Sequence, residues 1–197
     1  VKDTWNLICN RAWTTGEPGL LFIDRVNKDN PVEASLGIIE ATNPCGEEPM
    51  HPGDSCTLGA INVNKFYRKG HNGAGISDFD EMAFRKAIRT TTRFLDNVLQ
   101  INDYPVPLMK EISEKTRRIG VGVMGFADLL LRKKIRYGST ASLDLSLKLS
   151  KILEEETTSY SEELGEEKGH FGLCAESNLK VPRRNSFTRT VAPTGTI

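Results

Sequence analysis

Apolar side chains recur every three or four residues in three separate stretches, and each stretch predicts a helix. The first runs through Trp5, Ile8 and Ala12, with Thr4 placed to cap it and Gly16 to close it. The second carries Phe84, Ala87, Ile88, Phe94, Leu95, Val98 and Leu99 on one face. Ser77 with Asp80 reads as a capping box ahead of it, and Pro105 and Pro107 end it. The third follows Leu145, Leu149, Ile152, Leu153, Tyr160 and Leu164 and stops near Gly165. A shorter helix is expected over residues 126–134.

Short apolar runs separate these helices. Residues 36–41 (LGIIEA) predict a buried strand, and residues 58–63 form a second apolar stretch. Residues 119–125 predict a strand whose glycines permit close backbone approach, and residues 187–191 a final strand. Between the first two runs, residues 43–57 hold Pro44, Gly46, Pro49, Pro52 and Gly53, which is loop chemistry. Residues 70–75 read as a turn. The seven glutamates between 154 and 167 are expected to form a solvated face. Strands alternating with helices imply an α/β fold, without internal repeats or a linker to a second domain.

Composition narrows the function. The 197 residues carry 26 Lys and Arg against 26 Asp and Glu, so no basic excess drives binding to nucleic acid or an anionic membrane. No apolar run approaches the roughly 20 residues a membrane span needs. The start, Val1-Lys2-Asp3-Thr4-Trp5, has no signal-peptide pattern and no initiator methionine. Four cysteines without a Cys-x-x-Cys pair are too sparse for a secreted disulfide framework, which points to a reducing, cytoplasmic setting.

Two loops hold candidate chemistry. In Asn43-Pro44-Cys45-Gly46-Glu47, proline and glycine hold a cysteine on a tight turn, between an amide and a carboxylate. That set suits a sulfur nucleophile or radical, and equally an inert cysteine in a structural turn. Cys56 follows eleven residues on. A zinc site using Cys45, His51 and Cys56 has too few ligands to stand on spacing, and a Cys45–Cys56 disulfide is possible without being implied. The second loop, Pro193-Thr194-Gly195-Thr196-Ile197, turns backbone amides and hydroxyls outward as a phosphate loop does, and as an ordinary strand-to-helix turn also does. A two-cysteine redox switch and a non-catalytic nucleotide- or phosphate-binding module stay open beside an enzyme.

These strings, with Ser55-Cys56-Thr57-Leu58-Gly59-Ala60-Ile61-Asn62 and Gly120-Val121-Gly122-Val123-Met124-Gly125-Phe126 in the same order, resemble the large catalytic chain of ribonucleotide reductases. The Asn-Pro-Cys-Gly-Glu form is most similar to the adenosylcobalamin-dependent class; the oxygen-dependent di-metal class is the alternative. Thr57 departs from the Asn often found there. The resemblance implies part of the ten-stranded α/β barrel of the ribonucleotide reductase/glycyl-radical type, with Cys45 on a central finger loop. Cys45 would be the thiyl radical that takes the 3′ hydrogen of a ribonucleotide. Glu47 would accept the 3′-hydroxyl proton, and Asn43 would hydrogen-bond the ribose hydroxyls. Cys56 would be one half of the reducing dithiol, with its partner before Val1. The loops at 43–47 and 193–197 would line the substrate.

Further implications are a ribonucleoside di- or triphosphate substrate, a thioredoxin-like reductant and a homodimer at full length, with neither nucleic acid nor membrane as partner. Residues 1–197 would be the central portion of the barrel domain, incomplete at both ends, inactive alone and poorly stable alone. Cys9 and Cys174 match no catalytic position. His51, His71 and His170 are expected to be structural and exposed.

Overall fold

The computed structural model describes residues 1–55, 57–68 and 78–197. In chain order they form α1 (Lys2–Thr15), α2 (Ile23–Lys28), α3 (Glu33–Leu36), β1 (Ala41–Thr42), β2 (Pro49–Met50) and β3 (Leu58–Asn62). There follow α4 (Glu81–Ile101), α5 (Pro107–Thr116), β4 (Gly120–Met124), α6 (Phe126–Arg132) and α7 (Thr140–Lys168).

β4 takes the middle of a parallel arrangement. It pairs with β3 in register from Leu58↔Gly120 to Asn62↔Met124. On its other edge Val121 bridges Arg189, also in parallel. There the Val121 N–H donates to the Thr188 carbonyl at 3.0 Å, and the Thr190 N–H to the Val121 carbonyl at 3.3 Å. The strand expected over 187–191 is thus reduced to one bridge, and Pro193 soon removes a donor that a longer ladder would use. Both crossovers carry helices, as parallel pairing demands: α4 and α5 lead from β3 to β4, α6 and α7 from β4 to Arg189.

The core forms where these helices cover the strands. Phe84, Ile88, Thr92, Leu95, Asp96 and Leu99 make the buried stripe of α4. It packs with Leu145, Leu149, Ile152 and Leu153 of α7, Leu129 and Leu130 of α6, and Val121 of β4. Phe94, expected inside, is exposed, because it sits about 100° around the helix from Leu95. Asp80 is itself the cap of α4, its carboxylate accepting the Ala83 N–H at 3.1 Å. Ser77, the other half of the expected capping box, lies outside the described residues, as do His71 and the turn at 70–75.

Four expectations change. Residues 36–41 do not form a buried strand. α3 ends at Leu36, Ile38 is exposed, and the Asn27 side chain takes both backbone groups of Ile39, accepting its N–H at 2.7 Å and donating to its carbonyl at 2.9 Å. Those groups are then unavailable to a ladder. Pro107 starts a helix: it stands in the first turn of α5, where its missing N–H costs nothing. Gly165 does not stop α7, which runs on to Lys168; a Cβ there would lie 3.2 Å from the Arg183 backbone, so glycine admits the returning chain. Helix α1 is preceded by Val1 as its cap, with Thr4 inside it, and buries nothing: Trp5 and Trp13 are both exposed.

The glutamates of α7 are not simply a solvated face. Arg85, Arg89 and Arg93, one turn apart on α4, meet Glu155 and Glu156, then Glu163, then Glu167. The numbers rise together, so the two helices run parallel. Arg89 also lies over the Tyr160 ring at 4.2 Å. Deeper down, fully buried Asp96 accepts from Arg117 Nη2 at 2.7 Å, Arg184 Nε at 3.2 Å and Asn185 Nδ2 at 3.2 Å, with Lys168 Nζ 3.5 Å away. One carboxylate thereby ties together α4, the end of α5, the end of α7 and the approach to Arg189. Among the described residues no helix is long and apolar enough to cross a membrane.

Candidate active site

The loop that holds the cysteine is closed by its own asparagine. β1 and β2 pair antiparallel, Ala41↔Met50 and Thr42↔Pro49, and residues 43–48 form the tip between them. Asn43 is buried, and its amide oxygen accepts the N–H groups of Gly46 and Glu48, each at 3.1 Å. The Asn43 N–H donates to the Glu48 carbonyl at 3.0 Å, and the left-handed backbone of Gly46 completes the turn. The arrangement leaves Pro44, Cys45 and Gly46 exposed at the tip and Glu47 half-buried. Oε2 of Glu47 is buried and has no hydrogen-bond partner among the described residues.

Two contacts seat this loop on the sheet. Thr190 Oγ1 donates to the Glu47 carbonyl at 3.3 Å. At Gly120, the first residue of β4, a Cβ would collide with the Glu48 carboxylate and lie 2.8 Å from the Thr190 methyl. The glycine is thus the gap through which the loop reaches the strand. Gly120→Ala in the full-length protein is expected to cost about 1–3 kcal/mol by overpacking. Moving the loop by even 1 Å should cost on the order of 100-fold in kcat/KM. Unfolding and steady-state assays check both, and a variant with native activity would show that Glu48 swings aside freely.

The other expected site residues are placed less closely. Cys56 lies outside the described residues; its neighbour Thr57 accepts the Gly120 N–H at 2.9 Å, and Ser55 shares a 2.8 Å hydrogen bond with Ser113. Pro193, Thr194, Gly195, Thr196 and Ile197 are exposed and form no hydrogen bond with the described residues. Thr194 has φ 51°, unusual for a β-branched residue and suited to turning successive amides outward. Cys9 is exposed on α1 and Cys174 half-buried, both with free thiols.

His51, expected to be exposed, is buried. Its Nε2 lies 3.0 Å from the Gly37 carbonyl and 3.3 Å from Asn30 Nδ2. Burial pushes its pKa below the usual histidine value; Arg118 adds to this, while the Gly37 hydrogen bond and Asp54 oppose it. The unfolded chain therefore binds a proton that the folded one refuses. Stability from this group is complete above the unfolded pKa of about 6.5 and falls as pH drops from there toward the folded value. Urea titrations between about pH 7 and pH 5 should show this loss, and His51→Gln should flatten it.

Beneath the loop lies a cavity of about 650 Å³. Glu47, Glu48 and Pro49 form one wall, and Arg118, Arg183 and residues 186–189 the other. Arg118 is fixed by Asp54, whose Oδ2 accepts its Nε at 2.6 Å, and by the Phe187 ring 3.6 Å away. Burial, with Arg189 nearby, pushes the Arg183 guanidinium below its ordinary pKa.

The family model for the ribonucleotide reductase barrel domain matches residues 1–183. The chain belongs to that family. The vitamin B12-dependent ribonucleoside-diphosphate reductase of Thermoplasma acidophilum is 42% identical over 199 residues, spanning 100% of this chain and 25% of that protein. The enzyme of the same name from Mycobacterium tuberculosis is 39% identical over 197 residues, spanning 99% of this chain and 27% of its own length. Among solved structures, the Actinobacillus ureae class Id ribonucleotide reductase alpha subunit superposes with a TM-score of 0.80 at 25% identity. It covers 99% of this chain and 36% of that subunit. The chain thus spans about a quarter of the length of its curated relatives.

Within a chain of that family, residues 43–48 form a loop seated by Thr190 and Gly120 on the parallel arrangement of β3, β4 and Arg189. Sequence reasoning missed two supports of that loop, Thr190 and Glu48. The signal that could have found both was the pair of glycines at 120 and 122, since both clear space for Thr190 and Gly120 also for Glu48.

Proposed function

We propose that this chain is the central portion of the catalytic barrel of a vitamin B12-dependent ribonucleoside-diphosphate reductase, which converts ribonucleotides to 2′-deoxyribonucleotides as DNA precursors. One observation carries the reading: an exposed cysteine on a loop braced from both sides, next to a half-buried carboxylate with an uncommitted oxygen.

Each residue then has a task. As a thiyl radical, Cys45 abstracts the 3′ hydrogen, and its exposure at the tip lets a ribose approach. Glu47 accepts the 3′-hydroxyl proton through the oxygen that has no partner. Asn43 spends its carbonyl oxygen on bracing the loop, so its Nδ2 is the end that donates to a ribose hydroxyl. The 2′-hydroxyl leaves as water, and a dithiol that includes Cys56 supplies two electrons and ends as a disulfide. Residues 193–197 hold the phosphates on outward amides, with Thr194 in the left-handed region.

Adenosylcobalamin fits at one point, the exposed Cys45, which a group outside this chain's own fold can reach. When bound, it supplies the one-electron chemistry that removes the thiol hydrogen. The relatives from Thermoplasma acidophilum and Mycobacterium tuberculosis, whose names carry vitamin B12, support this class over the di-metal class. A thioredoxin-like reductant, a homodimer and a cytoplasmic setting complete the proposal. The test is deoxyribonucleotide formation by the full-length protein without oxygen, with and without adenosylcobalamin. Activity is expected only with the cofactor; equal activity without it would overturn the class.

A further inference from the structure

Helix α1 presents an apolar face that none of the described residues covers. Successive helical residues turn by about 100°, which puts Trp5, Ile8, Cys9, Ala12 and Trp13 within about 140° of one another. Asp3, Asn10, Arg11 and Thr14 point the other way, with Leu7 the one apolar residue among them. No residue of α1 is buried. Trp5 is 55% exposed and Trp13 86%. The hydrogen bonds of the helix stay within residues 1–17. Such a helix does not hold itself. Its 14 residues are near the length at which an isolated helix is marginal in water. It has no side-chain cap at its start, and Trp, Ile, Thr and Asn are weak helix formers. Its stability must come from packing of the apolar face, and so from a partner present whenever the protein is folded. Two exposed tryptophans on one face mark such a contact surface.

Two findings bear on that partner. The barrel-domain family model includes α1, so the helix counts as barrel and not as an appended arm. The Thermoplasma acidophilum relative aligns with all of this chain, α1 included, yet about three quarters of that protein lies outside the aligned part. We propose that the Trp5–Trp13 face of α1 docks against barrel residues of the same polypeptide that lie outside residues 1–197. A second copy fits less well: a helix that depended on it would come loose on dilution, whereas a segment of the same chain is at hand at every concentration. Docking here also steadies the reactive loop from behind. The chain leaves α1 for α2, whose Asn27 holds both backbone groups of Ile39 just ahead of β1. The inference rests on the reading of this chain as the central portion of a longer barrel.

Cys9 lies between the two tryptophans and carries a free, exposed thiol, which makes it the reporter. The experiment is iodoacetamide alkylation of the full-length protein, followed at the Cys9 peptide by mass spectrometry. Cys9 should react at least about tenfold more slowly than in the urea-unfolded protein, because a covered thiol reacts only through local opening. A smaller difference leaves the face open and overturns the docking. The protection should persist when the protein is diluted to the monomer; protection lost on dilution assigns the face to a second copy and overturns it too. A photoreactive benzoylphenylalanine at position 13 then identifies the occupant. Its crosslinks should join, within one chain, residues outside 1–197, whereas crosslinks to residues 16–197 or between chains overturn the proposal. If that variant fails to fold, the Cys9 rate in the unaltered protein still decides. Deoxyribonucleotide formation by the same preparation separates this from the parent reading. An active enzyme with a reactive Cys9 sinks the docking alone, whereas a protected Cys9 in a protein inactive with adenosylcobalamin sinks the functional reading alone.

Discussion

Cys45→Ser in the full-length protein is expected to reduce deoxyribonucleotide formation at least about 10³-fold, a loss of at least about 4 kcal/mol of transition-state stabilisation. The loop itself should survive the change. Its shape is set by Asn43, Gly46 and Glu48 backbone hydrogen bonds, none of which involves the Cys45 side chain. The Cys45 side chain is exposed, so replacing sulfur by oxygen removes no packing. Stability should therefore stay within about 0.5 kcal/mol, as for other surface changes. What is lost is the chemistry of sulfur, because a serine O–H gives up its hydrogen far less readily than a thiol. Unchanged Tm with abolished turnover supports the radical role. Retained turnover would overturn the radical role and leave Cys45 an inert turn residue.

The largest stability effect should come from Asp96→Ala, far from the proposed chemistry. Asp96 is fully buried and compensates Arg117, Arg184 and Lys168 at once. Arg117 and Arg184 side chains are about one-tenth exposed, so water can solvate them only slightly once the carboxylate is gone. Removing one partner of a buried pair costs about 3–5 kcal/mol, mostly through the charges left behind. At about 2–4 °C per kcal/mol for a unit of this size, Tm should fall by roughly 10 °C. Asp96→Asn, which keeps the shape and one acceptor oxygen, should cost less. A loss below about 1 kcal/mol for the alanine variant would show that the cluster rearranges or takes up water.

Much of the scaffold was legible because periodic burial is written locally. The stripe through Phe84, Ile88, Leu95 and Leu99 and the one through Leu145, Leu149, Ile152 and Leu153 each need only a helix and an apolar side to face. The buried strand β4 and the glycines that let another segment approach it were legible for the same reason. The short run at 36–41 was not, because its apolar letters suit a strand while the Asn27 side chain claims the backbone of Ile39. The glutamates of α7 were not either: whether they face water or arginines depends on α4, some seventy residues earlier.

The candidate site divides along the same line. Its chemistry could be assigned from residues 43–47, since cysteine, amide and carboxylate are properties of residue type. Its architecture could not. That Thr190 pins Glu47 and that Gly120 clears a space for Glu48 are contacts between segments about 145 and about 70 residues apart. By itself the sequence determined the helices, the central strand, the family resemblance and the reactive loop, through spacing and side-chain chemistry that act within a few residues. Only the tertiary structure decided which charges are buried, where His51 lies and what the loop rests on, because desolvation and pairing arise when distant segments meet.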